Sequence, residues 1–254
     1  MFKIIAYLCR TFNTITMKKL IGIIFVMALM LVSINVHAQG KKKIKISNSN
    51  AKELVKKIKE NPNAETLYLF RNRLDSLPEE IGELKKLKKL VVSSNRLVYI
   101  PNTIGELTNL EEISLKNNNL KSLPEEIGNL KKLNRLELDH NELESLPESI
   151  CLLENLEYLS LNDNHLAYLP RYIHKLQNLR FFYIGRNRLL ELPVSLGRMT
   201  SLVELNVAGS GRMLVVPDMQ ECRSLERLYI DRTTMFDVSF NVRSLPRLEI
   251  IVVE

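Results

Sequence analysis

The sequence contains no tryptophan and only three cysteines, and it lacks the short motifs that most often reveal a catalytic function. There is no glycine-rich phosphate loop and no GxSxG nucleophile elbow, so the residues suggest no particular reaction. No Asn-x-Ser/Thr sequon occurs, so N-glycosylation is not implied. The absence of tryptophan excludes nothing by itself. We therefore predict that the protein is not an enzyme and needs no cofactor.

The beginning of the chain has the pattern of a secretory signal peptide. After Met17, two lysines precede an apolar run at 20–32, and Val36-His37-Ala38 precede Gln39. We predict a signal peptide over 1–38, with translation starting at Met17. The mature chain would then be exported (secreted, periplasmic or at the cell surface) without a membrane span. The alternative is a retained N-terminal anchor, although the apolar run is near the short end for a span.

Much of the positive charge lies in this leader. Residues 1–38 hold four basic side chains and no acidic one, so the 36 basic residues fall to 32 against 29 acidic residues. The net charge drops from +7 to +3 on cleavage. A nucleic-acid partner therefore loses its main support, and none is predicted.

The rest of the chain repeats itself. The segment SLPEEIGELKKL at Ser76 returns 46 residues later as SLPEEIGNLKKL at Ser122, and a looser copy begins halfway between them at Tyr99. The period is therefore 23 residues. Three columns keep it: Leu67, Leu90, Ile113, Leu136, Leu159, Phe182, Leu205, Leu228 and Ile251; Leu69, Val92, Leu115, Leu138, Leu161, Ile184, Val207, Ile230 and Val253; and Asn72, Asn95, Asn118, Asn141, Asn164 and Asn187, followed by Ser210 and Thr233.

Each unit, LxxLxLxxNxLxxLPxxIGxL, resembles a leucine-rich repeat, and the resemblance extends from about Ile44 to the end of the chain. The 23-residue LPxxIGxL variety is similar to plant intracellular Ras-group-related repeat proteins and to bacterial exported repeat proteins. The resemblance implies a right-handed α/β solenoid, or horseshoe, of about eight turns. That family is functionally broad, so the resemblance implies no particular target.

The chemistry of one unit supports this fold. The two leucines of L-x-L point the same way, which makes a short strand that pairs in parallel with the next unit on the concave face. The asparagine can satisfy backbone groups at the following bend, and in the last units Ser210 and Thr233 can do part of this with a hydroxyl. The proline fixes φ where the return segment begins, and the apolar residues after it have helical spacing. We expect short helical or 3-10 segments on the convex side.

We divide the chain into a signal peptide at 1–38, an N-terminal strand–helix cap at 39–66, repeats at 67–248 and a terminal strand at 249–254. Asn50 can cap the helix of the first segment, with Glu53 at the third position. The seventh unit drifts, because its Pro217 comes one residue late. The terminal strand leaves an apolar edge that would suit weak homodimerisation.

Two cysteines, Cys151 and Cys222, follow the leader. The repeat places them about three turns apart, roughly 15 Å at ~4.8 Å per strand. A disulfide needs Cα atoms within ~7 Å, so two free and mostly buried thiols are predicted. Cys151 falls in the convex column of Gly82, Gly105, Gly128 and Gly197, where we expect backbone packing and no Cys–His pair.

The concave face is the usual ligand surface of this architecture. Stepping along the outward columns brings solvent-facing aromatic and arginine side chains onto neighbouring turns, which is a combination typical of binding hot spots. The predicted partner-binding residues are Tyr158, Phe181, Tyr183, Arg186, Arg188 and Tyr229. The alternative is that aromatic residues simply suit exposed strands.

An acidic band, predicted beside these aromatics, consists of Glu112, Glu137, Asp139 and Asp163. Asp139, His140, Asp163 and His165 are close enough by period to consider a metal site. Nothing in their spacing enforces one, so a polar face is the preferred interpretation and no metal is predicted.

The sequence therefore predicts a non-enzymatic, exported interaction protein that binds an unidentified protein or peptide on its concave face. Two alternatives stay open. Exposed tyrosine and phenylalanine also suit stacking on carbohydrate or cell-wall glycan, and the C-terminal edge could support structural self-assembly.

Overall fold

The computed structural model describes residues 42–46, 50–237, 240 and 245–253. The predicted signal peptide at 1–38 and its start at Met17 lie outside the described residues. Among those described, no helix is both long and apolar enough to cross a membrane.

One parallel sheet of ten short strands runs the length of the repeats, which confirms the predicted solenoid. Successive strands pair in the order of the chain, and nearly every pair is offset by 23 residues, as in Leu136 opposite Leu159. The strands are β1 (Lys43–Ile46), β2 (Thr66–Leu69), β3 (Lys89–Val91), β4 (Glu112–Ser114), β5 (Arg135–Glu137), β6 (Tyr158–Ser160), β7 (Phe181–Tyr183), β8 (Glu204–Asn206), β10 (Arg227–Ile230) and β12 (Glu249–Val252). A separate pair, β9 (Val215–Val216) and β11 (Met235–Phe236), lies outside this sheet.

A continuous apolar core fills the space behind the sheet. The two leucine columns of the strands are buried, as in Leu136 and Leu138, and so are the apolar residues of the return segments. Because each turn buries its leucines against the turns before and after it, the stability of one turn depends on its neighbours.

The asparagine column joins successive turns by hydrogen bonds. Asn141 is typical: its Nδ2 donates to the carbonyl oxygens of Leu115 on the previous turn (3.0 Å) and Leu138 on its own turn (2.9 Å). Its Oδ1 accepts from the N–H of Leu120 (3.1 Å). One buried amide thus satisfies three backbone groups that the bend would otherwise leave unpaired.

The hydroxyls that follow in this column behave differently from each other. Ser210 donates to the carbonyl oxygen of Ile184 on the previous turn, as the asparagines do. Thr233 instead donates to the Asp231 carboxylate of its own turn (2.7 Å), so the expectation that it would help to join turns is wrong. Its hydroxyl is drawn away because a strong charged acceptor lies two residues before it.

Six 3-10 helices form the convex side at Glu79–Glu83, Asn102–Glu106, Glu125–Asn129, Glu148–Leu152, Ile173–Lys175 and Val194–Arg198. Five of them begin directly after a proline of extended conformation, as Pro124 does. A Cβ added at Gly128 would lie 2.6 Å from the Ser149 carbonyl oxygen, which explains a glycine there. His174 stands one period after Cys151, however, so this column is not otherwise glycine and our reading of it was wrong.

The N-terminal cap consists of β1 and helix α1 (Ala51–Glu60). The Oδ1 of Asn50 accepts from the N–H of Glu53 at 3.0 Å, which satisfies one of the free donors at the start of the helix. Leu54 and Ile58 bury the inner face of the helix against the first turns.

The last strand is out of phase with the prediction. Tyr229 lies opposite Ile251, so this turn is 22 residues long and the inward column contains Ile250 and Val252 in place of Ile251 and Val253. Counting by 23 fails here because one residue is missing from the turn, and a slip of one residue moves every side chain to the other face.

Both cysteines are free thiols and buried, as predicted. Burial raises the pKa of Cys151 to about 11 and that of Cys222 to about 12. Neither thiol is therefore a ready nucleophile at neutral pH.

Candidate functional site

Three aromatic rings form a cluster on the concave face where β6 meets β7. Tyr158 lies opposite Phe181 in the strand register, with ring centroids 6.2 Å apart. The centroids of Tyr158 and Tyr183 are 5.4 Å apart and their rings are inclined by 51°. All three side chains are half-buried, so they present apolar surface to solvent while resting against one another. We call these three residues the aromatic cluster.

An arginine from the preceding strand holds the first ring. The Cζ of Arg135 lies 3.6 Å from the centroid of Tyr158, a close cation–π contact. Its Nη2 is 2.7 Å from Oε1 of Glu137. Burial alone would raise the pKa of Glu137, but the hydrogen bond from Arg135 and the charge of Lys116 outweigh burial and lower that pKa. Glu137 therefore stays ionised and fixes Arg135 against the ring.

A buried carboxylate from the following strand holds the other side of the cluster. The hydroxyl of Tyr183 donates to Glu204, which also pairs with Arg227 one strand further on. Burial, followed by the neighbouring Tyr158 and Tyr229, raises the pKa of Tyr183. Tyr183 therefore remains a neutral hydrogen-bond donor, and its ring is locked in place by its own hydroxyl.

A polar groove of about 550 Å³ lies next to the cluster, towards the ends of the strands. Its base is organised by Asp139, which is 6% exposed and accepts from the hydroxyl of Ser160. Asp139 also accepts from the backbone and side-chain amides of Asn162, at 3.2 and 3.0 Å. Its other oxygen is 3.2 Å from Nζ of Lys116. The base is therefore a rigid and internally satisfied network.

The groove is open because small residues follow the cluster. The N–H of Gly185 donates to Oδ1 of Asn162 at 2.9 Å. A Cβ at Gly185 would lie 3.1 Å from the carbonyl oxygen of Ala208 and 3.0 Å from that same amide oxygen. The next turn has only Ala208 in this column, so the floor stays low on two adjacent turns.

The rim of the groove carries His140, Asp163 and Arg186, all with left-handed backbone at φ near 55°. The Asp163 carboxylate is 3.6 Å from both Nδ1 of His140 and Nη1 of Arg186, one contact to each oxygen. In the part of the chain that the structure describes, no group of three His, Cys, Asp or Glu side chains could hold a metal ion.

The predicted acidic band is not a free negative surface. Glu112 pairs with Lys89, Glu137 with Arg135 and Lys116, Asp139 with Lys116, and Asp163 with Arg186. The prediction of a charged flank was wrong because each carboxylate has a cation on its own or a neighbouring turn. Those cations are found by the same 23-residue step that located the acids, or two residues from it.

The structure divides the predicted partner-binding residues. Tyr158, Phe181 and Tyr183 touch, and Arg186 lines the adjoining groove. Tyr229 lies on the same face but two strands beyond Tyr183, with Asn206 between them in the register. Arg188 lines a different depression, outside the concave face.

Sequence reasoning missed the residues that position the cluster, which are Arg135, Glu204 and Arg227. The signal was available, because Arg135 is one period before Tyr158 and Glu204 is one period after Phe181. Reading cross-strand pairs along a column, in addition to collecting exposed aromatics, would have found them.

Comparisons with known proteins agree with this architecture. A family model described as "Leucine rich repeat" matches residues 62–120 and 108–166. A leucine-rich repeat protein of Leptospira interrogans has a similar structure, with 33% identity, a TM-score of 0.58 and coverage of 78% of this chain and 56% of that one. No curated protein matches the sequence significantly.

Two plant receptor structures are also similar. The Arabidopsis receptor kinase HAESA, solved with the peptide hormone IDA and the co-receptor SERK1, is 26% identical with a TM-score of 0.60 over 70% of this chain. The ectodomain of GASSHO1/SCHENGEN3 from Arabidopsis thaliana, in complex with CASPARIAN STRIP INTEGRITY FACTOR 2, is 29% identical with a TM-score of 0.53 over 76% of this chain. The chain spans 32% and 28% of these two structures, and little more than half of the Leptospira protein.

Proposed function

This chain is a leucine-rich repeat protein, and we propose that it is an exported, non-catalytic interaction module that binds a protein or peptide on its concave face. The proposed contact surface is the aromatic cluster with the polar groove beside it. Export rests on the signal-peptide pattern at 1–38, and the cellular destination is outside the cytoplasm in this proposal.

The observation that carries the proposal is the fixed position of the aromatic cluster. Residues that dominate binding energy are commonly tyrosine and arginine in well-packed positions, because a preordered side chain loses little entropy when a partner covers it. Arg135 and Glu204 hold two rings of the cluster before any ligand arrives. The groove beside the rings offers amides, a rim arginine and a low floor where a peptide backbone could approach.

The structural neighbours support the same class of function at a general level. The two plant receptor structures were solved in complexes, one of them with a peptide hormone and a co-receptor. Leucine-rich repeat domains of this kind therefore serve protein–protein interaction. The particular partner of this chain does not follow from theirs, since a fold hosts many functions.

A glycan ligand fits the cluster less well than a protein ligand. Stacking on a sugar ring needs an accessible aromatic face, and the guanidinium of Arg135 already lies over Tyr158. The rings of Tyr158 and Phe181 are also inclined by 41°, so the cluster is a ridge and not a flat platform. A peptide with apolar side chains can fill the angles between such rings.

The test is affinity capture with the full chain, tagged and expressed in its native host, followed by mass spectrometry. Tyr158→Ala should reduce the captured partner by about ten-fold or more, as expected for a central aromatic anchor. The matched control is Tyr168→Ala, which removes an equally large ring that is 54% exposed outside the concave face.

Circular dichroism spectra must be the same for all three proteins. Equal capture by Tyr158→Ala and wild type would move the binding site away from the cluster. Capture of the chain itself, with a dimer in solution, would favour self-assembly instead. Competition of the capture by cell-wall oligosaccharides would favour the glycan alternative.

A further inference from the structure

The flank beyond the concave face is regular up to the sixth turn and then changes. On the regular turns, backbone hydrogen bonds join each turn to the one before, as from Arg188 to Leu166 and from Leu190 to Ala167, both 3.0 Å. After Ser210 the chain bulges. Gly211 lies so close to the previous turn that an added Cβ would be 2.1 Å from the Leu189 carbonyl oxygen, and Met213 has left-handed backbone at φ 54°.

The bulge opens a groove of about 870 Å³ between the sixth and eighth turns. Its floor is apolar, formed by Leu189, Leu190 and the backbone of Gly209 and Gly211. Leu190 is 68% exposed, which is unusual for a leucine that neighbours a concavity. The groove is larger than the one beside the aromatic cluster and shares none of the cluster's residues.

Three arginines, Arg188, Arg212 and Arg232, surround this apolar floor. Within the described residues, neither Arg188 nor Arg212 has an ion pair with a carboxylate, in contrast to the concave face. Asp231 also lines the groove, but its carboxylate accepts from the N–H groups of Gly209 and Thr233, at 2.7 Å each. Burial would raise the pKa of Asp231, and these hydrogen bonds together with the Thr233 hydroxyl outweigh burial and lower it.

Exposed apolar side chains continue the floor onto the neighbouring surface. Val215 and Met235 are register partners in the small β9–β11 sheet, and both point outward while Val216 is buried. Met213, next to Arg212 in the chain, is 66% exposed. Leu190, Met213, Val215 and Met235 thus form an exposed apolar strip on one flank, and such strips commonly mark interaction sites.

We propose that this groove, with its rim of arginines and its apolar strip, is a second binding site for an acidic peptide segment that carries large apolar side chains. The floor would take the apolar side chains, and the unpaired Arg188 and Arg212 would bind carboxylates. The charge of the rim chooses this occupant, because a basic or neutral segment would leave both guanidinium groups without an anion.

The experiment is fluorescence anisotropy on the full chain with three labelled peptides. The first is acidic and carries a Leu-Phe pair; the second has each acidic residue replaced by lysine; the third is acidic with Ser-Ser in place of Leu-Phe. We expect the first to bind at least ten-fold more tightly than either of the others. The double variant R188E/R212E should abolish this preference, and Leu190→Ser should weaken binding several-fold.

Two controls separate this site from other surfaces. Arg198→Glu makes the same charge change on the convex side and should leave the affinity unchanged, as should Tyr158→Ala in the aromatic cluster. The proposal is overturned if R188E/R212E binds the first peptide as well as wild type does, or if Arg198→Glu weakens binding equally. Equal affinity for the first and third peptides would also overturn it, since the apolar floor would then have no role.

Discussion

Turns between Asn72 and Asn187 and turns after Leu205 share one repeat but join to their neighbours in different ways. In the first region a buried asparagine links each turn to the previous one through its amide. In the second region Ser210 supplies one hydroxyl contact and Thr233 supplies none to the turn before. The comparison teaches that the amide ladder enforces uniform turns, and that grooves and exposed apolar strips arise where the ladder stops.

The surfaces of the two regions differ accordingly. On the regular turns the concave charges are paired across strands, and the aromatic cluster is held by those pairs. On the last turns Arg188 and Arg212 face an apolar groove with no such pairing among the described residues. A regular turn therefore spends its charges on its own neighbours, whereas an irregular one leaves them for a partner.

The largest effect is expected from breaking the ladder in its middle. Asn141→Ala leaves three buried backbone groups without partners, and each unsatisfied group costs about 1–3 kcal/mol. We expect the free energy of unfolding to fall by about 3 kcal/mol or more, measured by urea denaturation. Ser210→Ala, which removes one contact, should lower it by about 1 kcal/mol. Equal losses for the two variants would contradict the difference between the regions.

A smaller but clear loss is expected where the bulge meets the sixth turn. Gly211→Ala would place a Cβ 2.1 Å from the Leu189 carbonyl oxygen, so the backbone must move. Overpacking of this kind typically costs about 1–3 kcal/mol. Gly185→Ala, where the nearest atom is 3.0 Å away, should cost less. Thermal melting of both variants orders the two effects, and a reversed order would show that the bulge yields easily.

The paired charges of the regular turns should give stability a pH dependence that Glu137→Gln reduces. The folded pKa of Glu137 lies below its ordinary value of 4.5, so its ionised form stabilises the fold above that pH. This contribution is lost as the pH falls through the lower, folded pKa. Unfolding free energies of wild type and variant should converge towards pH 3 and differ by about 1 kcal/mol or less at pH 6. A constant difference across that range would exclude the linkage.

The smallest expected effect is a difference in the labelling rates of two thiols. Both Cys151 and Cys222 are buried, so each reacts with a thiol reagent only when its turn opens. Cys222 belongs to the region without the ladder and should be labelled several-fold faster than Cys151, despite its higher pKa. Peptide mapping after a short exposure at pH 8 would measure this. Faster labelling of Cys151 would place the weaker turns elsewhere.

Much of the fold could be predicted because a single number, the period, applies along most of the chain. Counting by 23 identifies strand partners such as Leu136 and Leu159, and it also brings Tyr158, Phe181 and Tyr183 onto adjacent strands. The same count could not locate Arg188 correctly, since the depression that it lines exists only because Gly211 and Met213 depart from the regular path.

The sequence by itself determined the solenoid, the positions of the buried leucines and the asparagine column, because hydrophobic side chains at a constant period can be buried only by stacking equal turns. The tertiary structure alone decided the 22-residue register of β12, the pairing that neutralises the acidic band, and the arginine-rimmed groove. These features depend on local changes in turn length and on the distances between side chains of neighbouring turns. A period carries no information about either.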